Sequence, residues 1–416
     1  MQDKNLNVIF YKIIDYYTKQ GAATLIQVQR GNMSIAAFNA EAKKLIESHK
    51  VSPADVETLL YQLQTFLFGY YKLTPLLDDD EISDIRCHNA KNIRVKRLGK
   101  RYATNITFTN NDEYKQFLQS IAIKNQCDTS MVNAQQVFTD IDSHPKFRLR
   151  FDMSTELLNS SKLPTLHIRK IPKNKLGFED LMQTKPYPML DPDVASFLTN
   201  QIEGGQSMIV GGANASGKTT LMNAGIEKIP FNLSGQVIQE SNELFAVKHP
   251  DLFFKVVVAP NGEGKIAYTI KDEIKHALMS DNNMIIIGEV KGDEALDVIN
   301  AAYTGSTCWL SVHGESSQDC AEKIADYAAC AANFGLPQIL KRLKNMNMVV
   351  FVENFQVTEI SKITGVDIEH ECLTYELIYS KKQGIKNFDK YYVPSLVTPN
   401  ECLIFNVDKA GGQNDE

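Results

Sequence analysis

At 416 residues the chain exceeds what one ordinary hydrophobic core supports, so two or three domains are expected. Hydrophobic residues make up 43% and charged residues 23%, a globular balance that excludes fibrous, low-complexity and disordered classes. A net charge of −6 argues against a surface built to grip nucleic acid, since phosphate contacts require clustered Lys and Arg.

The opening segment, MQDKNLNVIFYKIIDYY, carries charges throughout and does not read as a secretory signal. Residues 1–72 read as helical. The clearest helix starts at Ser52, with Pro53 in the first helical position and Asp55 three residues after the cap. Val56, Leu59, Leu60, Leu63, Phe66 and Leu67 then follow at helical spacing. Residues 73–170 change character: strand-like pieces at Ile93–Val95, Phe147–Phe151 and Thr165–Ile168 surround a helix over Tyr114–Lys124, predicting a small α+β domain. The stretch 171–186, punctuated by Pro172 and Pro186, reads as a linker, and the basic run from His167 to Lys175 as its solvated approach. From 187 to 416 apolar strands alternate with amphipathic helices, the pattern of an α/β sheet domain. The tail after about residue 408 lacks apolar anchors and is expected to be disordered.

Seven cysteines at 87, 127, 308, 320, 330, 372 and 402 never form CxxC, which fits reduced thiols and a cytoplasmic setting, not a disulfide frame or zinc site. The longest apolar runs, Met284–Ile287 and Met348–Val352, are strand-sized, so membrane association is expected only through a partner.

Ser207 to Thr220 contains the pattern GxxxxGK[ST], with Gly212, Gly217, Lys218 and Thr219 in the named positions. Met208–Val210 supplies the apolar strand before it, and Thr219–Ile226 the helix after it. Glycines let backbone N–H groups turn inward on phosphate, and the helix start adds its positive dipole end. Gly212, Ala213, Asn214, Ala215, Ser216, Gly217, Lys218, Thr219 and Thr220 are therefore the candidate nucleotide-binding residues. Lys218 would reach the terminal phosphates, and Thr219 would give its hydroxyl to Mg²⁺. ATP and Mg²⁺ are the expected ligands.

Further strands end in chemistry. Met284–Ile287 leads to Glu289, a carboxylate placed to act on Mg²⁺, through a water, or on the attacking water. Gln236–Leu244 carries Glu240 and Glu243, and Cys308–His313 ends in a histidine. Strand ends on one side of a parallel sheet converge, so these groups are candidates for metal, base and phosphate-sensing roles; which glutamate is the base stays open.

Taken together these residues resemble the type II/type IV secretion ATPases, nearest their CpaF-like branch of pilus-assembly and conjugation motors. The resemblance covers about residues 73 to 365. It rests on the P-loop, on Gly288–Ala295 (GEVKGDEA), on Ala302–His313, on Leu76–Ile85 and on Leu166–Lys170. It implies a RecA-like P-loop NTPase domain, preceded by a helical segment and a small α+β, PAS-like N-terminal domain. It assigns Glu243 to an acidic box, Glu289 to Walker B and His313 to a histidine box, and it implies that arginines of the 148–170 zone, Arg148 and Arg169 foremost, reach the phosphates. Arg150 and Lys170 lie in the same zone and read as surface charge. The implied assembly is a homo-hexamer, peripheral at the cytoplasmic face of the membrane through a polytopic inner-membrane platform protein. The chain departs from the family pattern at Gln239-Glu240, at Lys291, at Ser306 and over the arginine-free stretch 278–283. A nucleotide-gated scaffold without turnover, or a nucleic-acid motor of helicase or recombinase type, are the alternative readings.

Overall fold

The computed structural model describes residues 2–125, 127, 134–257 and 267–398. The tail after 408 lies outside them. The described chain divides into two compact units, one running to Asn174 and one from Lys175 onward. Among the described residues, no helix is long and apolar enough to cross a membrane.

The first unit pairs helices with a six-stranded antiparallel sheet. Its strands are β1 Ile82–Asn89, β2 Asn92–Arg97, β3 Lys100–Ala103, β4 Gln135–Asp140, β5 Phe147–Ser154 and β6 Thr165–Pro172, in the order β3-β2-β1-β6-β5-β4. The helix expected from Ser52 runs Pro53–Leu67, with the Ser52 hydroxyl accepting from the Asp55 N–H at 3.2 Å. Its Val56, Leu59, Leu63 and Phe66 share one continuous core with Phe117 of helix Asn111–Lys124 and with Ile85, Leu149 and Ile168 of the sheet. The helical region and the α+β region are thus packed as one body.

The basic run at 167–175 is not a solvated linker. It begins inside β6, a central strand between β1 and β5, where Leu166, Ile168 and Lys170 are buried and His167 and Arg169 alternate with them. Lys170 is itself 5% exposed, with its ammonium donating to the Asp79 carbonyl at 2.7 Å and lying over the Phe147 ring; burial pushes its pKa down to about 8. The remainder of 171–186 is largely folded as well: helix Phe178–Leu181 buries Phe178 and Leu181 in the second unit's core.

Asp84 anchors the centre of the first sheet. It is buried, and accepts from His167 Nε2 at 3.0 Å, Ser83 Oγ at 2.8 Å and Arg169 Nε at 3.3 Å. Burial alone would raise its pKa, but the bonds from His167 and Ser83 and the Arg169 charge hold it well below the usual carboxylate range. A depressed folded-state pKa contributes stability that is complete above the unfolded value of about 4 and lost as pH falls through the folded one. Asp84→Ala should therefore destabilise the protein by about 1–3 kcal/mol at neutral pH in urea unfolding, with the gap to wild type narrowing below about pH 4.

The second unit is built on a nine-stranded sheet. Its strands are β7 Met208–Gly211, β8 Gly235–Gln239, β9 Leu252–Val256, β10 Met284–Ile287, β11 Thr307–Val312, β12 Met348–Glu353, β13 Gln356–Asp367, β14 Cys372–Ser380 and β15 Ile385–Lys386. The order is β15-β14-β13-β12-β7-β11-β10-β8-β9, parallel from β12 through β9 and antiparallel from β12 through β15. Helices cover both faces, which is why the central strands are apolar on both sides. Val210, Ile286 and Trp309 point into one core with helices Pro192–Glu203 and Lys218–Ile226. Ile209, Ile285, Ile287 and Leu310 point into the other, under helices Ala295–Tyr303 and Ser317–Ala329.

Candidate functional site

β7 sits in the middle of the sheet, and its carboxyl end opens into the loop 212–217, followed by helix Lys218–Ile226. Two glycines make the loop possible. Gly212 has φ +148° and Gly217 φ +109°, and a Cβ on Gly212 would collide with the Val352 carbonyl. A Cβ on Gly217 would lie 3.1 Å from both Met189 Cε and Phe355 Cδ1. Ala213, Asn214 and Ala215 are exposed, Ser216 and Lys218 are buried, and Thr219 and Thr220 are half-buried at the helix start. The first N–H groups of any helix have no partner within it, so the loop presents donors at the carboxyl end of the central strand.

The Lys218 ammonium stands at the centre. It donates to the Gly212 carbonyl at 2.9 Å, to the Ala213 carbonyl at 3.0 Å and to His313 Nδ1 at 3.0 Å. An ammonium has three donors, so all three are engaged. Burial lowers its pKa, opposed by the charge of Glu289. His313 Nδ1 faces both this ammonium and, at 3.3 Å, the Gly212 carbonyl; the closer ammonium assigns Nδ1 as acceptor and the ring proton to Nε2. That nitrogen lies 2.6 Å from Glu289 Oε1, without the angle of a directed hydrogen bond. The other carboxylate oxygen of Glu289 is 3.1 Å from Lys291 Nζ, which also meets Glu240 Oε2 at 2.5 Å. Burial would lower the Lys291 pKa, but Glu240 and Glu289 together raise it.

A chain of five groups thus runs Lys218, His313, Glu289, Lys291, Glu240 across the carboxyl ends of β7, β11, β10 and β8. The strand register brings them together: Ile287 pairs with Leu310 and Ile238, and Val312 with Gly211. Two further bonds fix the crossing between β10 and β11, from Ser311 Oγ to the Gly288 carbonyl at 2.6 Å and from the Val290 N–H to the Ser311 carbonyl at 2.9 Å.

Glu243 is placed differently. Its carboxylate accepts from Ser241 Oγ at 3.2 Å within its own loop, and its carbonyl accepts from Asn223 Nδ2 at 2.7 Å. That loop is held by Gln239, which is 3% exposed. The Gln239 amide oxygen accepts from the N–H groups of Glu243 at 3.0 Å and Leu244 at 2.7 Å, while its amide nitrogen donates to the Leu244 carbonyl at 3.0 Å. An ionised glutamate accepts but cannot donate, and here it would be buried. Gln239→Glu should therefore lower stability by about 1–3 kcal/mol, read as a shift in urea midpoint at neutral pH.

Arg148 and Arg169 belong to the first unit. Arg148 is half-buried, which lowers its pKa against the nearby charge of Asp142, and Arg169 is bonded to Asp84 as described. Sequence reasoning missed the bracing by Gln239, and it missed the hairpin tip at Asn354–Phe355, whose Phe355 N–H donates to the Ser216 carbonyl at 3.0 Å. The only local signal for the hairpin was a short polar break between two apolar runs.

A sequence model of the family described as "Type II/IV secretion system protein" matches residues 70–346. An uncharacterized protein of Methanocaldococcus jannaschii is 28% identical over 266 residues, covering 64% of this chain and 46% of that protein. The Type IV secretion system protein VirB11 of Brucella suis is 30% identical over 158 residues, 37% of this chain and 40% of its own length. The matched stretch therefore spans less than half the length of these relatives. Among solved structures, the Legionella pneumophila ATPase DotB superposes with a TM-score of 0.51 at 16% identity, covering 74% of this chain and 79% of that one. The second unit has the RecA-like P-loop fold.

Proposed function

We propose that this chain, which belongs to the type II/IV secretion system protein family, is an ATPase whose turnover powers secretion, pilus assembly or conjugative transfer through a membrane machine. The observation that carries the reading is the convergence of Lys218, His313 and Glu289 at the mouth of the glycine loop.

In this reading the N–H groups of residues 213–220 bind the phosphates of ATP, and Lys218 exchanges its contacts for the terminal phosphates. Glu289 orients and deprotonates the attacking water, and the His313 Nε2–H donates to the terminal phosphate, so that nucleotide state is felt at the end of β11. The donor set suits Mg²⁺, which prefers oxygen ligands: the Thr219 hydroxyl is half-buried at the helix start, and the buried Glu289 Oε1 has no directed hydrogen bond. Thr219 would hold the ion directly and Glu289 through a water; when bound, it neutralises phosphate charge. Glu240 and Glu243 assist in positioning the catalytic water. Arg148 and Arg169 belong to the same proposal as charges acting on phosphate, and alanine at either should lower turnover while sparing nucleotide binding. The working form is a homo-hexamer, held at the cytoplasmic face of the membrane by a polytopic platform protein.

One observation favours a second reading, a nucleotide-gated scaffold that binds without turnover. The Lys291 ammonium bridges Glu289 and Glu240, opposing the negative charge that a base needs. Phosphate release by purified protein with ATP and Mg²⁺ decides between them: sustained turnover supports the motor, and binding without release supports the scaffold. A monomeric mass by light scattering, with and without a slowly hydrolysed ATP analogue, would overturn the ring.

A further inference from the structure

Beside the phosphate loop stands an aromatic ring that the roles above leave unused. Phe355 lies at the tip of the β12–β13 hairpin. Glu353 pairs with Gln356, so Asn354 and Phe355 form a two-residue turn, with φ +50° and +60°. Positive φ at both positions is the I′ pattern, which favours Asn followed by Gly. Asn354 fits it. Phe355 does not, because a side chain in the left-handed region crowds its own backbone. Burial does not compensate, since Phe355 is 58% exposed. A large apolar side chain held in a disfavoured conformation and left in solvent calls for a functional reason.

Its position supplies one. The Phe355 N–H is bonded to the Ser216 carbonyl at 3.0 Å, and a Cβ on Gly217 would come within 3.1 Å of the ring. The ring therefore borders the loop where the helix begins. Val357 N–H to the Met189 carbonyl at 2.9 Å and Gln356 Nε2 to the Pro188 carbonyl at 3.1 Å tie the tip to a second apolar segment at Gly217. The sheet order gives the direction. β7 lies between β11 and β12; Lys218, His313 and Glu289 gather on the β11 and β10 side, and the hairpin tip closes the β12 side. A triphosphate with its last phosphate at Lys218 and His313 runs back along the loop, so its sugar and base emerge on the β12 side.

We propose that Phe355 is the base-stacking residue of this site, its exposed ring forming a wall for the nucleotide base; this deepens the ATP-site reading and rests on it. Stacking uses the π-face that every base has, so the ring contributes affinity without choosing between adenine and guanine.

The test is calorimetric binding of ATP, GTP and inorganic tripolyphosphate, each with Mg²⁺, to wild type, Phe355→Ala, Phe355→Gly and Phe355→Trp. Phe355→Ala and Phe355→Gly should weaken ATP and GTP alike by about 10-fold, within the range for one base–aromatic stack, and leave tripolyphosphate unchanged. Phe355→Trp should retain nucleotide affinity. Glycine is what the turn prefers, so a loss in Phe355→Gly is not a loss of fold. Unchanged ATP affinity in both truncations overturns the proposal, as does an equal loss for ATP and tripolyphosphate, which would make the ring a support for the loop. If wild type binds neither ATP nor tripolyphosphate, the nucleotide site itself is refuted and the stacking role falls with it.

Discussion

Lys218→Ala should abolish measurable ATP turnover, with a fall of about 100- to 1000-fold or more, and weaken ATP binding by at least about 10-fold. Among the described residues the ammonium is one of few buried charges, and its three donors are spent on Gly212, Ala213 and His313. Those partners are two neutral carbonyls and an imidazole, whereas phosphate oxygens are anionic and form the stronger, charge-assisted bonds. Exchange toward the ligand is thus favourable, and burial, which lowers the lysine pKa, sharpens the preference for an anion. Alanine removes that charge where the phosphate negative charge is greatest. The fold should survive, since the sheet and its two cores do not depend on the ammonium. Circular dichroism checks this, and phosphate release together with ATP titration reads the effect. Wild-type turnover in this variant would remove Lys218 from the site.

Glu289→Gln should separate binding from chemistry. The amide keeps the volume and the hydrogen-bonding reach of the side chain but removes its charge and its capacity to take a proton. Turnover should fall by about 100- to 10,000-fold, as expected for loss of a general base. ATP affinity should hold or improve, because the Glu289 charge that favours the charged form of Lys218 also competes with phosphate for it. Single-turnover phosphate release alongside a fluorescent-analogue titration measures both. Undiminished turnover would move the base to Glu240 or Glu243. The geometry favours Glu240, which shares Lys291 with Glu289, over Glu243, whose carboxylate is turned onto Ser241.

The glycine loop was readable in sequence because the features that announce it are local: an apolar strand, two glycines where φ is positive, and a helix start, all within twenty residues. Glu289 and His313 were nearly as clear, since a polar residue directly after an apolar strand must sit at a sheet end. Their 2.6 Å approach depends on β10 and β11 pairing in one register, which no local pattern states. The basic run around β6 misled because charge outweighed alternation. Leu166 and Ile168 carried the strand signal, while Arg169 and Lys170 find their partners some 85 to 91 residues away, in Asp84 and the Asp79 carbonyl. Gln239 and Phe355 were illegible for different reasons: Gln239 braces a loop four and five residues on through an amide that no pattern marks, and Phe355 meets Ser216 from the strand pair beside β7.

The sheet order also sets a timetable for synthesis. β7 pairs with β11 and β12, where Met208 lies opposite Trp309 and Met348, and with neither of the strands nearest it in sequence. Met348 follows Met208 by 140 residues. At the usual pace of translation the glycine loop emerges from the ribosome roughly 7 to 28 s before its strand has both neighbours. In that interval neither the Val352 carbonyl nor the Phe355 N–H is there to shape the loop, so a nascent chain carries the phosphate motif without the phosphate site. Ribosome-bound chains arrested before residue 348 should fail to retain ATP, and those long enough to expose β12 and its hairpin should gain it in one step.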